Sequence, residues 1–95
     1  MKSLETFTHI LLTVSRVTEI SEKDILSRSR CEEIVDARTL LVEFCAKEGL
    51  YPRAIAKYIG CTTRNVNHVL SNSHLRHTYL LELYSAEIRK QLGNN

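Results

Sequence analysis

Apolar residues recur along this chain at intervals of three and four, a spacing that predicts helices throughout. Phe7, Ile10, Leu11 and Val14 form one stripe, predicting a first helix over 3–16 with Ser3 as its cap. Ser21, with Asp24 three residues on, predicts a short capped helix over 22–26. Ser27-Arg28-Ser29-Arg30 reads as a basic loop. A long helix is expected over 31–47, with Ile34, Ala37, Leu41 and Phe44 or Cys45 as its buried stripe. Its first turns hold Glu32, Glu33 and Asp36, where the helix dipole favours acids, and Gly49 stands just past its end.

The second half is punctuated more sharply. Pro52 suits the first turn of a helix, and the run from Arg53 stops at Gly60. Cys61-Thr62-Thr63 reads as a turn, with Thr62 or Cys61 as the boundary residue. The next helix, 63–70, is anchored by Val66, Val69 and Leu70, and Asn72-Ser73 breaks it. A last helix over 73–92 carries Leu75, Tyr79, Leu80, Leu83, Tyr84 and Ile88 as its expected core face. The Tyr79/Leu83 and Leu80/Tyr84 pairs have a dimer face as their alternative. The pattern therefore predicts an all-α domain of five to six helices spanning 1–95.

Composition bounds the function. With 95 residues, the chain has room for one small core and none for a nucleotide-binding or catalytic domain beside it. The net charge of +2 is unevenly placed. From Gly49 to Leu81 the fixed charges are Arg53, Lys57, Arg64 and Arg76, with no Asp or Glu, and His68, His74 and His77 fall in the same stretch. Such a segment suits a polyanion, because each cation near a phosphate releases a condensed counterion; a solvated basic face is the alternative. Cys31, Cys45 and Cys61 are odd in number and scattered, which fits reduced, mostly buried thiols better than a disulfide framework or zinc ribbon. The apolar run near the N-terminus is interrupted by Glu5, Thr8 and His9, too polar for a secretory segment and too short for a membrane span. A cytoplasmic, nucleoid-associated protein is expected.

The stretch 51–72 has the grammar of a helix-turn-helix. That motif needs a small residue where its helices cross, a tight turn, and a second helix that is apolar inside and polar outside. Ala56 meets the first need and Gly60 the second. Val66, Val69 and Leu70 supply the inner face, and Thr63, Arg64, Asn67, His68 and Ser71 the outer one. Arginine pairs bidentately with guanine, asparagine with adenine, and threonine offers a hydroxyl and a methyl. Double-stranded DNA is the expected partner, with helix 63–71 in the major groove. A plain helical hairpin with a polar face is the alternative.

The order of these features resembles the C-terminal DNA-binding domain of the bacterial replication initiator DnaA, a helix-turn-helix domain of Trp-repressor-like type. That family shows a basic loop, a helix with a Pro-Arg-Gln-type run, a Ser-Leu-Pro-x-Ile-Gly segment, and then Gly-Arg-Asp-His-Thr-Thr-Val-x-His. The runs here are Ser27-Arg28-Ser29-Arg30, Val35-Asp36-Ala37-Arg38-Thr39, Leu50-Tyr51-Pro52-Arg53-Ala54-Ile55-Ala56, and Gly60-Cys61-Thr62-Thr63-Arg64-Asn65-Val66-Asn67-His68. The similarity covers roughly 10–92 in order and spacing, with few identities. It implies that Arg30 enters the minor groove and that Arg28 adds a phosphate contact in the same loop. It implies that Arg38 and His68 contact phosphates and that Pro52 opens the helix-turn-helix. The family's base-reading Arg-Asp-His-Thr-Thr is replaced by Cys61-Thr62-Thr63-Arg64-Asn65, so a target other than the initiator's usual site is expected. Without an ATPase module, the chain is expected to be a free-standing reader in replication or transcription control.

Other chemistries lack a pattern. No nucleophile and base stand in a catalytic arrangement, and His68, His74 and His77 do not have ligand spacing, so no enzyme activity, cofactor, metal or small-molecule substrate is expected. The competing function is a helical interaction or dimerisation module without DNA affinity. A homodimer or a separate partner protein is compatible with either.

Overall fold

The predicted stripe of Phe7, Ile10, Leu11 and Val14 is buried along a first helix, α1 (Lys2–Thr18), in a computed structural model that describes residues 2–76 and 78–93. Ser3 lies inside this helix rather than capping it, and its hydroxyl meets the Tyr58 hydroxyl at 2.6 Å. The helix ends at Glu19, a non-glycine residue at φ +62° whose amide donates to the Ser15 carbonyl (2.8 Å). The short helix α2 (Glu22–Ile25) follows, its Asp24 amide donating to Ser21 Oγ at 3.1 Å as the spacing predicted.

Helix α3 (Glu32–Lys47) is the centre of the core. Ala37, Leu41, Phe44 and Cys45 are buried as expected, joined by Leu40 and Val42, while Ile34 is only half-buried. A helix covered on so wide an arc packs on several neighbours, here α1 and α2 and the two that follow it. Gly49, at φ +95°, turns the chain out of α3, and the amides of Gly49 and Leu50 close its end on the carbonyls of Ala46 and Cys45.

Helix α4 (Pro52–Ile59) starts on its proline and stops at Gly60, whose φ of +90° favours a residue without a Cβ. Helix α5 (Thr63–Asn72) starts on Thr62 and packs on α4 and α3. Ile55, Ala56 and Val66 are buried in the core, with Ile59, Val69 and Leu70 half-buried against it.

The expected last helix, 73–92, is two elements. Ser73–Arg76 forms a 3₁₀ turn, and α6 (Tyr79–Gly93) restarts on Thr78, whose Oγ1 accepts from the Leu81 amide at 3.3 Å. His77 lies outside the described residues. Helix α6 packs on α1 with Leu81, Ser85 and Ile88 buried and Tyr84 and Leu92 half-buried. The expected core positions Leu75, Tyr79, Leu80 and Leu83 instead face solvent, at 71%, 80%, 53% and 49% exposure. Both stripes repeat every three to four residues. Ser85 disguises the one that packs on α1, so periodicity alone mixed the two faces: the expected Ile88 and Tyr84 lie on the packed one and the other four do not. The domain is thus all-helical among the described residues, with six α-helices around one core.

Candidate nucleic-acid interface

Helices α4 and α5 pack on each other and are joined by a tight turn of Gly60, Cys61 and Thr62. The left-handed glycine reverses the chain, and its amide donates to the Ala56 carbonyl at 2.8 Å. Thr62 then caps α5 through Oγ1, which accepts from the Asn65 amide at 3.1 Å. Pro52 sits half-buried at the first position of α4, where it shapes the motif's start.

One face of α5 is turned to solvent. Thr63, Arg64, Asn65, Asn67, His68 and Ser71 are all exposed, while Val66 holds the opposite face in the core. The face mixes hydrogen-bond donors and acceptors with one fixed positive charge. His68 is braced by Asn72, whose side-chain amide donates to the His68 carbonyl at 2.9 Å and lies 3.3 Å from Nδ1. Arg53 and Lys57 are exposed on α4. Arg76, the fourth cation of the acid-free stretch, is instead paired: its Nη2 lies 2.7 Å from Asp36 Oδ1, fastening the 3₁₀ turn to α3.

The basic loop is held by its own serines. Ser27 Oγ donates to the Asp24 carbonyl (2.6 Å) and accepts from the Ser29 amide (3.2 Å), and Ser29 Oγ accepts from the Cys31 amide (3.1 Å). Ser27 and Ser29 are half-buried, whereas Arg28 and Arg30 are exposed, so the alternation of residue types is an alternation of sides. Arg38 lies beneath. Its Nε donates to the Ile25 carbonyl at 2.8 Å, Nη2 to the Ser27 carbonyl at 2.7 Å and Nη1 to the Ser29 carbonyl at 3.3 Å. The arginine expected at a phosphate is thus half-buried and engaged with its own chain.

The loop and the α4–α5 pair meet at a cleft of about 450 Å³. Arg28, Arg38, Asn65 and His68 line it above an apolar floor that includes Val42 and Val66, with no Asp or Glu in its wall. Arg30 and Arg64 stand outside its lining. Cys61 faces the same space. Burial pushes its thiol up from the ordinary value, against the pull of the nearby Arg38 and Arg28 charges. Burial likewise lowers the Arg38 guanidinium, and Cys61 opposes that shift. Cys45, in the core, is pushed up to about 12, chiefly by burial with Glu48 adding to it, and is an uncharged packing residue at neutral pH.

The sequence reading missed the loop's serine ladder and the inward role of Arg38. The Ser-Arg-Ser-Arg alternation was the available signal for the first; nothing local signalled the second, since the bonds span nine to thirteen residues. Among the described residues no three His, Cys, Asp or Glu side chains are grouped to hold a metal ion, and no helix is long and apolar enough to cross a membrane. In comparisons with known proteins, the chain matches no family model, no curated protein and no solved structure.

Proposed function

We propose that this chain is a double-stranded-DNA-binding domain that lays α5 in the major groove and directs the Arg28/Arg30 loop at the adjacent minor groove. The observation that carries this reading is the solvent face of α5, free of acids and bearing Thr63, Arg64, Asn67, His68 and Ser71, set across one cleft from an outward-pointing arginine loop. Groove contacts of the α5 type specify bases, and arginines in a narrow minor groove read its width and potential. The likeness in motif order to the initiator's DNA-binding domain supports the same reading, and the altered base-reading residues assign it a different target. A role in replication or transcription control follows from that likeness alone.

Fluorescence anisotropy with a random duplex at two salt concentrations tests the proposal. The expected result is a Kd of roughly 10⁻⁶–10⁻⁴ M that weakens as salt rises. Absence of binding at low salt overturns it.

A second reading rests on the outward stripe of Leu75, Tyr79, Leu80 and Leu83. With its core face already on α1, α6 is apolar on two sides, and one of them lacks a cover among the described residues. The exposed area of the four side chains is roughly 400 Å², within the range of the largest apolar patch on a typical monomer. Two copies pairing through these side chains alone would bury roughly 800 Å², so a specific dimer would need further contacts around them. Sedimentation equilibrium showing a dimer that Leu83→Asp dissociates supports this reading. A monomer at millimolar concentration rejects it.

A further inference from the structure

The basic loop and Arg38 form one unit. Three carbonyls at alternate positions, Ile25, Ser27 and Ser29, converge on a single guanidinium. The first of them closes α2 and the other two belong to the loop, where Ser27 and Ser29 are half-buried over Arg38 and Arg28 and Arg30 are the exposed pair. The carbonyl dipoles present their negative ends to Arg38 and offset a positive charge held beneath two others. The hydroxyl bonds of Ser27 and Ser29 close the remaining turns of the loop.

We infer that Arg38 is a positioning residue: it holds the Ser27–Arg30 loop pre-formed, with Arg28 and Arg30 projecting, and through them sets the groove preference of the DNA complex without being its phosphate contact. The inference rests on the DNA-binding reading for its functional half and on geometry alone for its structural half. A loop ordered during folding does not have to be ordered again on binding, which leaves more of the contact energy for the complex. The chemistry demands arginine. Its planar fork offers five N–H donors in fixed directions, and three of its nitrogens serve here, whereas a lysine ammonium is a point charge that cannot span the same carbonyls. A phosphate contact, by contrast, accepts lysine readily.

That difference supplies the test. Arg38→Lys and Arg38→Met are compared with the unsubstituted chain and with Arg30→Ala. The readouts are site-resolved trypsin cleavage after Arg28 and Arg30, and anisotropy on an A·T-tract duplex and a G·C-rich duplex of equal length; retained helical circular dichroism establishes that each variant is folded. The expected result is that both Arg38 variants are cut at the loop at least tenfold faster and lose the preference for the A·T duplex, as Arg30→Ala does. Adding Arg38→Met to Arg30→Ala should change that preference less than twofold, because the two act through one loop. Unchanged loop cleavage in folded variants overturns the clamp, whatever the DNA result. Arg38→Lys binding with full affinity and preference restores the phosphate-contact role and overturns the positioning one. An unsubstituted chain that binds both duplexes equally overturns the groove-setting half. One that binds neither duplex overturns the DNA-binding reading itself, with the clamp still judged by the cleavage rates.

Discussion

The loop over 27–30 and helix α5 use their polar atoms in opposite ways. In the loop, both serine hydroxyls and the carbonyls of Ser27 and Ser29 are bonded within the chain, and only the arginine side chains point away. In α5 the helix satisfies its own backbone, so Arg64, Asn67 and Ser71 are left facing water. An irregular segment has no repeating ladder to satisfy its backbone, and here the loop's own two serines and the distant Arg38 provide the partners. A helix needs only a cap and an apolar face. Polar side chains can be set on the surface by either route, but the loop's backbone bonding depends on a distant residue and the helix's on local ones.

Four substitutions press on that contrast, beginning with the largest effect. Val66→Ala removes the one fully buried side chain of α5. Losing two methyl groups and leaving a cavity should lower stability by about 2–3 kcal/mol in chemical denaturation. If α5 depends on the core as argued, hydrogen exchange should rise in α5 before it rises in the loop; equal rises would erase the distinction. Arg64→Ala should leave denaturation unchanged, because the side chain is exposed. It should cost about 1–3 kcal/mol of affinity for a selected duplex and relax the preference at one base position. A uniform loss across all sequences would instead make Arg64 a phosphate contact. The smallest effect is expected at the hydroxyls. Thr62→Ala removes the α5 cap and Ser29→Ala one rung of the loop, each worth about 1 kcal/mol or less by thermal melting. Thr62→Ala should fray only the first turn of α5, while Ser29→Ala, with Arg38 still clamping, should barely speed trypsin cleavage after Arg28.

Much of the fold was legible because it was written locally. Ser21 and Thr62 act as caps on the residues three positions on, Pro52 opens a helix, and Gly49 and Gly60 adopt the left-handed conformations that end theirs. The outer residues of α5 were legible for the same reason, since Val66 fixes which side of the helix faces in. The 3₁₀ turn over Ser73–Arg76 was less so: its Arg76–Asp36 pair joins residues 40 positions apart, and no local pattern announces it. That pair also removes one cation from the basic stretch that the charge count had credited in full.

The contrast between loop and helix has the same origin. The sequence by itself determined the first five helices, most of their ends and the polar face of α5, because caps, left-handed glycines and a 3.6-residue period are local signals. It determined the alternation of serine and arginine in the loop, though not what lies beneath it. Only the tertiary structure decided that Arg38 turns inward, because its three acceptors exist as a set only once α2 and α3 have packed. It also decided which stripe of α6 enters the core, since two apolar faces at one period are equivalent until α1 covers one of them.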